Sequence, residues 1–188
     1  MPQFPSLPDN AHLTDLLKRF PKTVTPLMDY LNAVLRGDGE LTLAEREMIA
    51  AYVSGLNACT FCFGSHLIYA QAFGIPDGMI ENLLQDPDRA EPKWRPLLAY
   101  LRKLNSLPSR LTEADAAAVF AEGWSEEALF EAIEVAAVFN MMNRMVEGGG
   151  VRFDYAQDPQ AHSIAKADPS ALEDSYLKYG QRIRDGAG

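Results

Sequence analysis

Cysteine is almost missing from this chain. Only two occur in 188 residues, at positions 59 and 62, so no disulfide framework holds the fold, and a chain of this length buries an ordinary apolar core without one. Basic residues are also scarce, with 17 Lys and Arg against 26 Asp and Glu and a formal net charge of −9. That balance opposes a broad phosphate-binding surface, because nucleic-acid affinity depends on Lys and Arg neutralising phosphates. No apolar run approaches the roughly eighteen residues a membrane span needs. Residues Met1 to Asn10 contain three prolines and neither a basic n-region nor an apolar h-region, so they do not read as a secretory signal. A cytoplasmic location is the expectation, with no nucleic acid and no membrane as partners. Alternating β-branched runs bounded by hairpin turns are missing too, which leaves an all-α chain.

The helical spacing divides the chain into segments but gives no linker between domains. One domain over 1–188 is expected: an extended, proline-marked arm over 1–22, a core over 24–151 and a helical tail over 168–186. Pro26 to Leu35 reads as an amphipathic helix stopped by Gly37-Asp38-Gly39. Thr42 and Glu45 form a Thr-x-x-Glu capping box opening a helix to about Leu56. The next helix begins near Ala58, after Asn57, and ends at Phe73-Gly74 before Pro76. Pro76 to Leu84 and Pro92 to Asn105 follow, the latter turning Trp94, Leu97, Leu98, Leu101 and Leu104 inward. Thr112 and Ser125 then cap two more helices. The second runs to Val146, apolar nearly all round, and is stopped by Gly148-Gly149-Gly150. A polar stretch with Asp158-Pro159 leads to a last amphipathic helix, Pro169 to Arg184, able to pack on its own subunit or clasp a neighbour.

The chemistry lies in Cys59-Thr60-Phe61-Cys62, with His66 one turn beyond and Glu47 on the preceding helix. Cysteines three apart at a helix start can close a short disulfide ring, and the first turn's free N–H groups and dipole favour a thiolate. His66 shares their face and can exchange protons near neutral pH. If the two helices form a tight antiparallel hairpin around Gly55 to Ala58, Glu47 can be brought beside His66. In a reducing cytosol such a pair is catalytic, redox-sensing or metal-binding rather than structural.

Each residue also has an ordinary reading. Lone cysteines are often small buried hydrophobes, a lone histidine is usually structural, and Glu47 within Ala44-Glu45-Arg46-Glu47 is the kind of acidic residue that is usually solvated. Zinc is a further reading, since Cys59, Cys62 and His66 are all ligand types, but a structural site needs a fourth ligand, and His12 and His162 lie in segments without a motif. A haem-attachment motif requires histidine at 63, which is Phe63. The triple glycine lacks the context of a phosphate loop.

Glu47, Asn57-Ala58-Cys59-Thr60-Phe61-Cys62 and His66 together resemble the Glu-x11-Cys-x2-Cys-x3-His signature of the alkylhydroperoxidase D-like branch of the carboxymuconolactone decarboxylase superfamily. Trp94 to Leu101, Arg110-Leu111-Thr112 and Phe139-Asn140-Met141-Met142-Asn143-Arg144 resemble its uncharacterised peroxidase-related subgroup, so the likeness spans about residues 24 to 151. The resemblance implies a compact multi-helix fold with CxxC at a helix N-terminus, homo-oligomers such as dimers, trimers or hexamers, and no metal or organic cofactor. It also implies a peroxidase in which Cys62 attacks a hydroperoxide, Cys59 resolves the sulfenic acid, Glu47 and His66 relay protons, and a lipoyl-bearing or thioredoxin-like dithiol protein restores the pair. Family peroxidases can carry a histidine just before the second cysteine, where this chain has Phe61. The departure implies weaker or different peroxidase activity, with an apolar wall at the mouth of the site that favours organic hydroperoxides over hydrogen peroxide. The decarboxylase branch lacks the cysteine pair, which disfavours lactone chemistry. Two readings from other classes remain: a non-enzymatic CxxC redox sensor or oligomerising adaptor, and a zinc-binding scaffold.

Overall fold

A computed structural model of the protein describes residues 2–151, 164 and 166–186. Among the described residues there are nine α-helices and no strand: α1 (Leu13–Arg19), α2 (Val24–Arg36), α3 (Leu43–Leu56), α4 (Thr60–Ala72), α5 (Met79–Gln85), α6 (Trp94–Ser106), α7 (Glu113–Ala121), α8 (Glu126–Gly149) and α9 (Ser175–Arg184). The all-α expectation holds, with boundaries within a few residues of those read from the spacing. None of these helices is long and apolar enough to cross a membrane.

The central element is α3. Thr42 starts it as expected, its Oγ1 accepting from the Glu45 N–H (3.2 Å) and its own N–H donating to Glu45 Oε2 (2.7 Å). Every side chain from Arg46 to Ser54 is buried, and a helix closed on all sides needs neighbours on all sides. Ile49, Ala50 and Val53 enter the main apolar cluster with Leu31, Leu35, Leu97, Val135 and Phe139. Met48, Ala51 and Tyr52 face a second cluster with Ala70, Ile80, Leu83 and Leu98. The α3–α4 hairpin is thereby held between two cores, and what it carries is out of the solvent.

The turn joining α3 to α4 positions the cysteines. Cys59 N–H donates to the Ser54 carbonyl (3.0 Å) and Ala58 N–H to the Gly55 carbonyl (3.0 Å), the paired bonds of a Schellman motif whose C′ residue must be left-handed. That residue is Ala58, at φ 54°, and among the described residues it is the one non-glycine with positive φ. An alanine there costs about 1 kcal/mol relative to glycine. Cys59 follows at once as the N-cap of α4, so that Asn57 and Ala58 alone separate the end of α3 from that cap. Ala58 is therefore turn rather than helix, and α4 begins at Thr60.

The extended arm expected over residues 1–22 instead contains α1. His12 Nδ1 accepts the Thr14 N–H (3.2 Å) and Asp15 accepts the His12 N–H (2.8 Å). That is a capping box with histidine in the place of serine or threonine, so the usual sequence signal is missing. Leu13, Leu16 and Leu17 are buried, which supplies the packing a seven-residue helix needs.

The tail helix α9 packs on its own chain, against α2 and α1. Gly180 lets it approach, since a Cβ there would stand 2.9 Å from Met28 Cβ. Tyr179 shares a hydrogen bond with Thr14 Oγ1 (2.9 Å), and burial pushes its phenol up to about 12. Because the folded value lies above the ordinary 10.0, its contribution is complete below pH 10 and is lost as pH rises through about 12. Tyrosinate absorbance should therefore show a late step in that window that Tyr179→Phe removes; Tyr179 titrating with free tyrosine would contradict the buried contact. Asp158-Pro159 and His162 lie outside the described residues.

Candidate functional site

The hairpin brings all four sequence-predicted residues into one buried cluster between α3, α4 and α8. Cys59 and Cys62 are reduced and buried, Glu47 is fully enclosed, and His66 is 7 % exposed. Glu47 is therefore not the solvated acid its local sequence suggests. His66 sits one turn beyond Cys62 on α4, and its Nδ1 lies 2.5 Å from Glu47 Oε2. The Phe139 ring meets the imidazole edge-on at 4.2 Å between centroids, which fixes its plane.

Sequence reading did not find the fifth member of this cluster. Arg36, the last residue of α2, places Nη2 2.5 Å from Glu47 Oε1, with both side chains closed to solvent. Its Nε donates to the Leu172 carbonyl (3.1 Å) and its Nη1 to the Leu35 carbonyl (2.9 Å). The rings of Tyr176, Phe73 and Tyr69 stand 4.9, 5.2 and 5.6 Å from the guanidinium. Nothing local marks an arginine at a helix end as a partner of an acid on the next helix.

Charge in the cluster is settled by these pairings. Burial alone pushes the Glu47 carboxyl up, but His66 and Arg36 together overcome it and hold the group below the usual carboxylate range. Burial likewise opposes the charge on Arg36, and Glu47 more than offsets it. Since Glu47 is a carboxylate it only accepts, so Nδ1 carries the proton and Nε2 is the nitrogen left for proton exchange.

The two thiols form a coupled pair. The hydrogen bond from Cys62 lowers Cys59, with help from the Cys62 backbone N–H, while the same bond and then burial raise Cys62. The coupling favours ionisation at Cys59 and opposes it at Cys62. Such a pair presents a single thiolate with a second thiol in contact, the arrangement needed to attack and then to close a disulfide. Phe61, between them in sequence, is buried with its ring edge-on to His12 at 5.0 Å. His12 thus packs on an aromatic ring beside the site. Among the described residues no group of three or more His, Cys, Asp and Glu stands in an arrangement that could hold a metal ion.

Known proteins show the same architecture. A structure of an uncharacterised peroxidase-related protein from Ralstonia eutropha JMP134, described as an alkylhydroperoxidase AhpD core, aligns with 81 % of this chain and 80 % of its own at TM-score 0.72 and 23 % identity. An uncharacterised peroxidase-related protein from Silicibacter sp. TM1040 aligns with 73 % and 75 % at TM-score 0.67 and 22 % identity. A protein of unknown function from Agrobacterium tumefaciens covers 73 % of this chain and 94 % of its own at TM-score 0.63 and 19 % identity. At these identities the likeness concerns the fold. No curated protein matches the sequence. The sequence profile of the carboxymuconolactone decarboxylase family matches residues 21–102. That segment runs from the turn before α2 into α6 and holds Arg36, Glu47, Cys59, Cys62 and His66, and over it the chain is similar to the carboxymuconolactone decarboxylase family.

Proposed function

We propose that the protein is a thiol-dependent peroxidase that reduces hydroperoxides through a Cys59–Cys62 disulfide cycle, with Glu47 and His66 as its proton relay. The observation that carries this reading is the pair of buried free cysteines one helical turn from an imidazole whose Nδ1 lies 2.5 Å from a buried carboxylate. The description of the Ralstonia structure as an AhpD core and of two relatives as peroxidase-related supports the same class.

In the reaction Cys62, in the attacking role that the family resemblance gives it, passes its proton to the Cys59 sulfur and attacks the peroxide, the O–O bond breaks, and the leaving alkoxide takes a proton through His66 Nε2. Cys62 becomes a sulfenic acid. Cys59 gives up its proton, attacks the Cys62 sulfur and forms the S–S bond as the S–O bond breaks and water leaves. Each turnover converts one hydroperoxide and two thiols into one alcohol, one water and one disulfide. A dithiol protein of lipoyl or thioredoxin-like chemistry then reduces the pair. Phe61 and Phe139, buried beside Cys62 and His66, provide an apolar lining suited to the carbon chain of an organic hydroperoxide.

The test is stoichiometric and then catalytic. One equivalent of cumene hydroperoxide should remove two titratable thiols per chain, and consumption should continue when dihydrolipoamide is supplied. A disulfide that forms once and is not turned over by any dithiol would instead mark a redox sensor.

A further inference from the structure

One face of α8 is left uncovered by the rest of the chain. Beyond the first turn, every exposed residue of this helix lies on it: Phe130, Ala137, Met141, Arg144 and Gly148, with Phe130 60 % and Met141 41 % exposed. Together with the half-buried Glu134 they follow one another at intervals of four, three, four, three and four residues, the spacing of the seam along which one helix packs on another. Ile133 and Met145, only partly buried, border the row. Single exposed apolar side chains need no explanation, but a seam about 27 Å long at 1.5 Å per residue does.

The seam is complementary to a reversed copy of itself. In an antiparallel pairing centred midway between Ala137 and Met141, Phe130 meets the partner's Gly148, Glu134 meets the partner's Arg144, and Ala137 meets the partner's Met141. Each layer sets a large side chain against a small one or an acid against a base, and the two-fold axis repeats it. A parallel pairing would instead set Phe130, Glu134 and Arg144 each against its own copy, with like charges in contact. The charged pair is available for such a contact. Glu134 makes no hydrogen bond or ion pair among the described residues, and Arg144 is held through Nη1 alone, to the Asn140 carbonyl (2.6 Å) and Oδ1 (2.8 Å). Phe130 also has a seat. Met145 and Gly148 wall a cavity of about 280 Å³ closed on its other sides by Leu16, Phe4 and Phe20, the last two exposed by 38 and 42 %. A Cβ on Gly148 would meet nothing of its own chain within 4 Å, so internal packing does not call for the glycine, which weakens a helix by roughly 0.5–1 kcal/mol. A phenyl ring arriving from a second copy does call for it.

We infer that this face of α8 is the contact between two copies of the chain, packed antiparallel about a two-fold axis with Phe130, Glu134 and Ala137 of each against Gly148, Arg144 and Met141 of the other. A two-fold contact uses the same patch twice, so residue i meets j and j meets i, and the three layers of the seam satisfy that condition at once. A different protein would have no reason to find its complement already written on the same helix. The contact uses none of the residues of the thiol site, and it stands whether or not the protein reduces hydroperoxides.

Sedimentation of the full chain over a dilution series tests it. Wild type should run as a dimer at micromolar concentration. Glu134→Arg and Arg144→Glu each set like charges against one another in two symmetric layers, and each should raise the dissociation constant about a hundredfold or more. Mixed in equal amounts, these two variants should pair with each other, since the first then carries only bases in the seam and the second only acids. Both chains keep a net negative charge, so overall attraction would not bring them together. Gly148→Leu is the variant least able to harm the fold, because its added side chain starts in open space; by filling the seat of the partner's Phe130 it should weaken pairing about tenfold or more. Should a charge reversal fail to fold, Gly148→Leu still decides. The inference is overturned by a wild type still monomeric at about 0.1 mM, including one that binds phosphatidylcholine vesicles instead. It is equally overturned by an assembly that any of the three substitutions leaves as tight as wild type, or by reversed chains that fold but stay apart when mixed.

Discussion

Arg36→Met should destabilise the protein by about 3 kcal/mol or more, because removing one member of a buried ion pair leaves the other charge enclosed without its partner. Both side chains are closed to solvent, with the guanidinium 2.5 Å from Glu47 Oε1, and methionine fills much of the volume without replacing the charge. His66 would remain hydrogen-bonded to the carboxylate. For a chain of this size such a loss lowers the melting temperature by roughly 6–12 °C. Arg36→Met/Glu47→Gln should recover a large part of it, since no lone buried charge is left, and that non-additivity separates the pair from simple loss of packing on Tyr69, Phe73 and Tyr176. Acid should act on the same bond. The folded Glu47 carboxyl lies below its ordinary 4.5, so its contribution is complete above about pH 4.5 and disappears as pH falls through the lower folded value. Urea unfolding of the two variants and wild type at neutral and acid pH measures all of this. Equal stability of Arg36→Met and wild type at pH 7 would show that the pair does not hold α2 to α3.

How far the sequence speaks for itself follows the range of each interaction. The α3 start is legible because Thr42 and Glu45 bond within one turn, and the end of α4 because Phe73-Gly74 and Pro76 act on their own backbone. Glu47, Cys59, Cys62 and His66 could be grouped because two helices joined by so short a turn must lie antiparallel and bring those positions together. Arg36 could not. It reaches Glu47 from another helix, and at the end of α2 it looks like any basic residue favourable to a helix C-terminus. The helix α1 was hidden for a different reason: its cap is His12, and the prolines before it read as extended chain. Asn140, Asn143 and Arg144 were visible as polar residues on an apolar helix, but the bonds that hold the two amides come from Asn57 and Asn105, contributed by two other elements. Which sulfur attacks was likewise beyond local reasoning, since both lie at the start of α4.

The two single-cysteine variants should therefore fail in different ways. On the proposed peroxidase reading Cys62→Ser removes the attacking sulfur, and hydroperoxide consumption should fall by about a thousandfold or more, the scale on which loss of a nucleophile is felt. Cys59→Ser keeps that sulfur and removes the one that closes the ring. One equivalent of hydroperoxide should then be reduced in a single burst, leaving Cys62 as a sulfenic acid that dimedone traps, with further turnover only as fast as an outside thiol can attack it. The site shields that intermediate, because Cys62 and its neighbours Phe61 and Phe139 are buried. The sulfenic acid should therefore persist long enough for intact-mass measurement to record one added oxygen before trapping. Serine is close enough in size to cysteine for both variants to fold, which thermal melting checks. A dimedone adduct on Cys59 in Cys62→Ser, together with an inert Cys59→Ser, would exchange the two roles. Burst consumption by neither variant would take the hydroperoxide out of the reading and leave a pair of thiols that exchanges only with other disulfides.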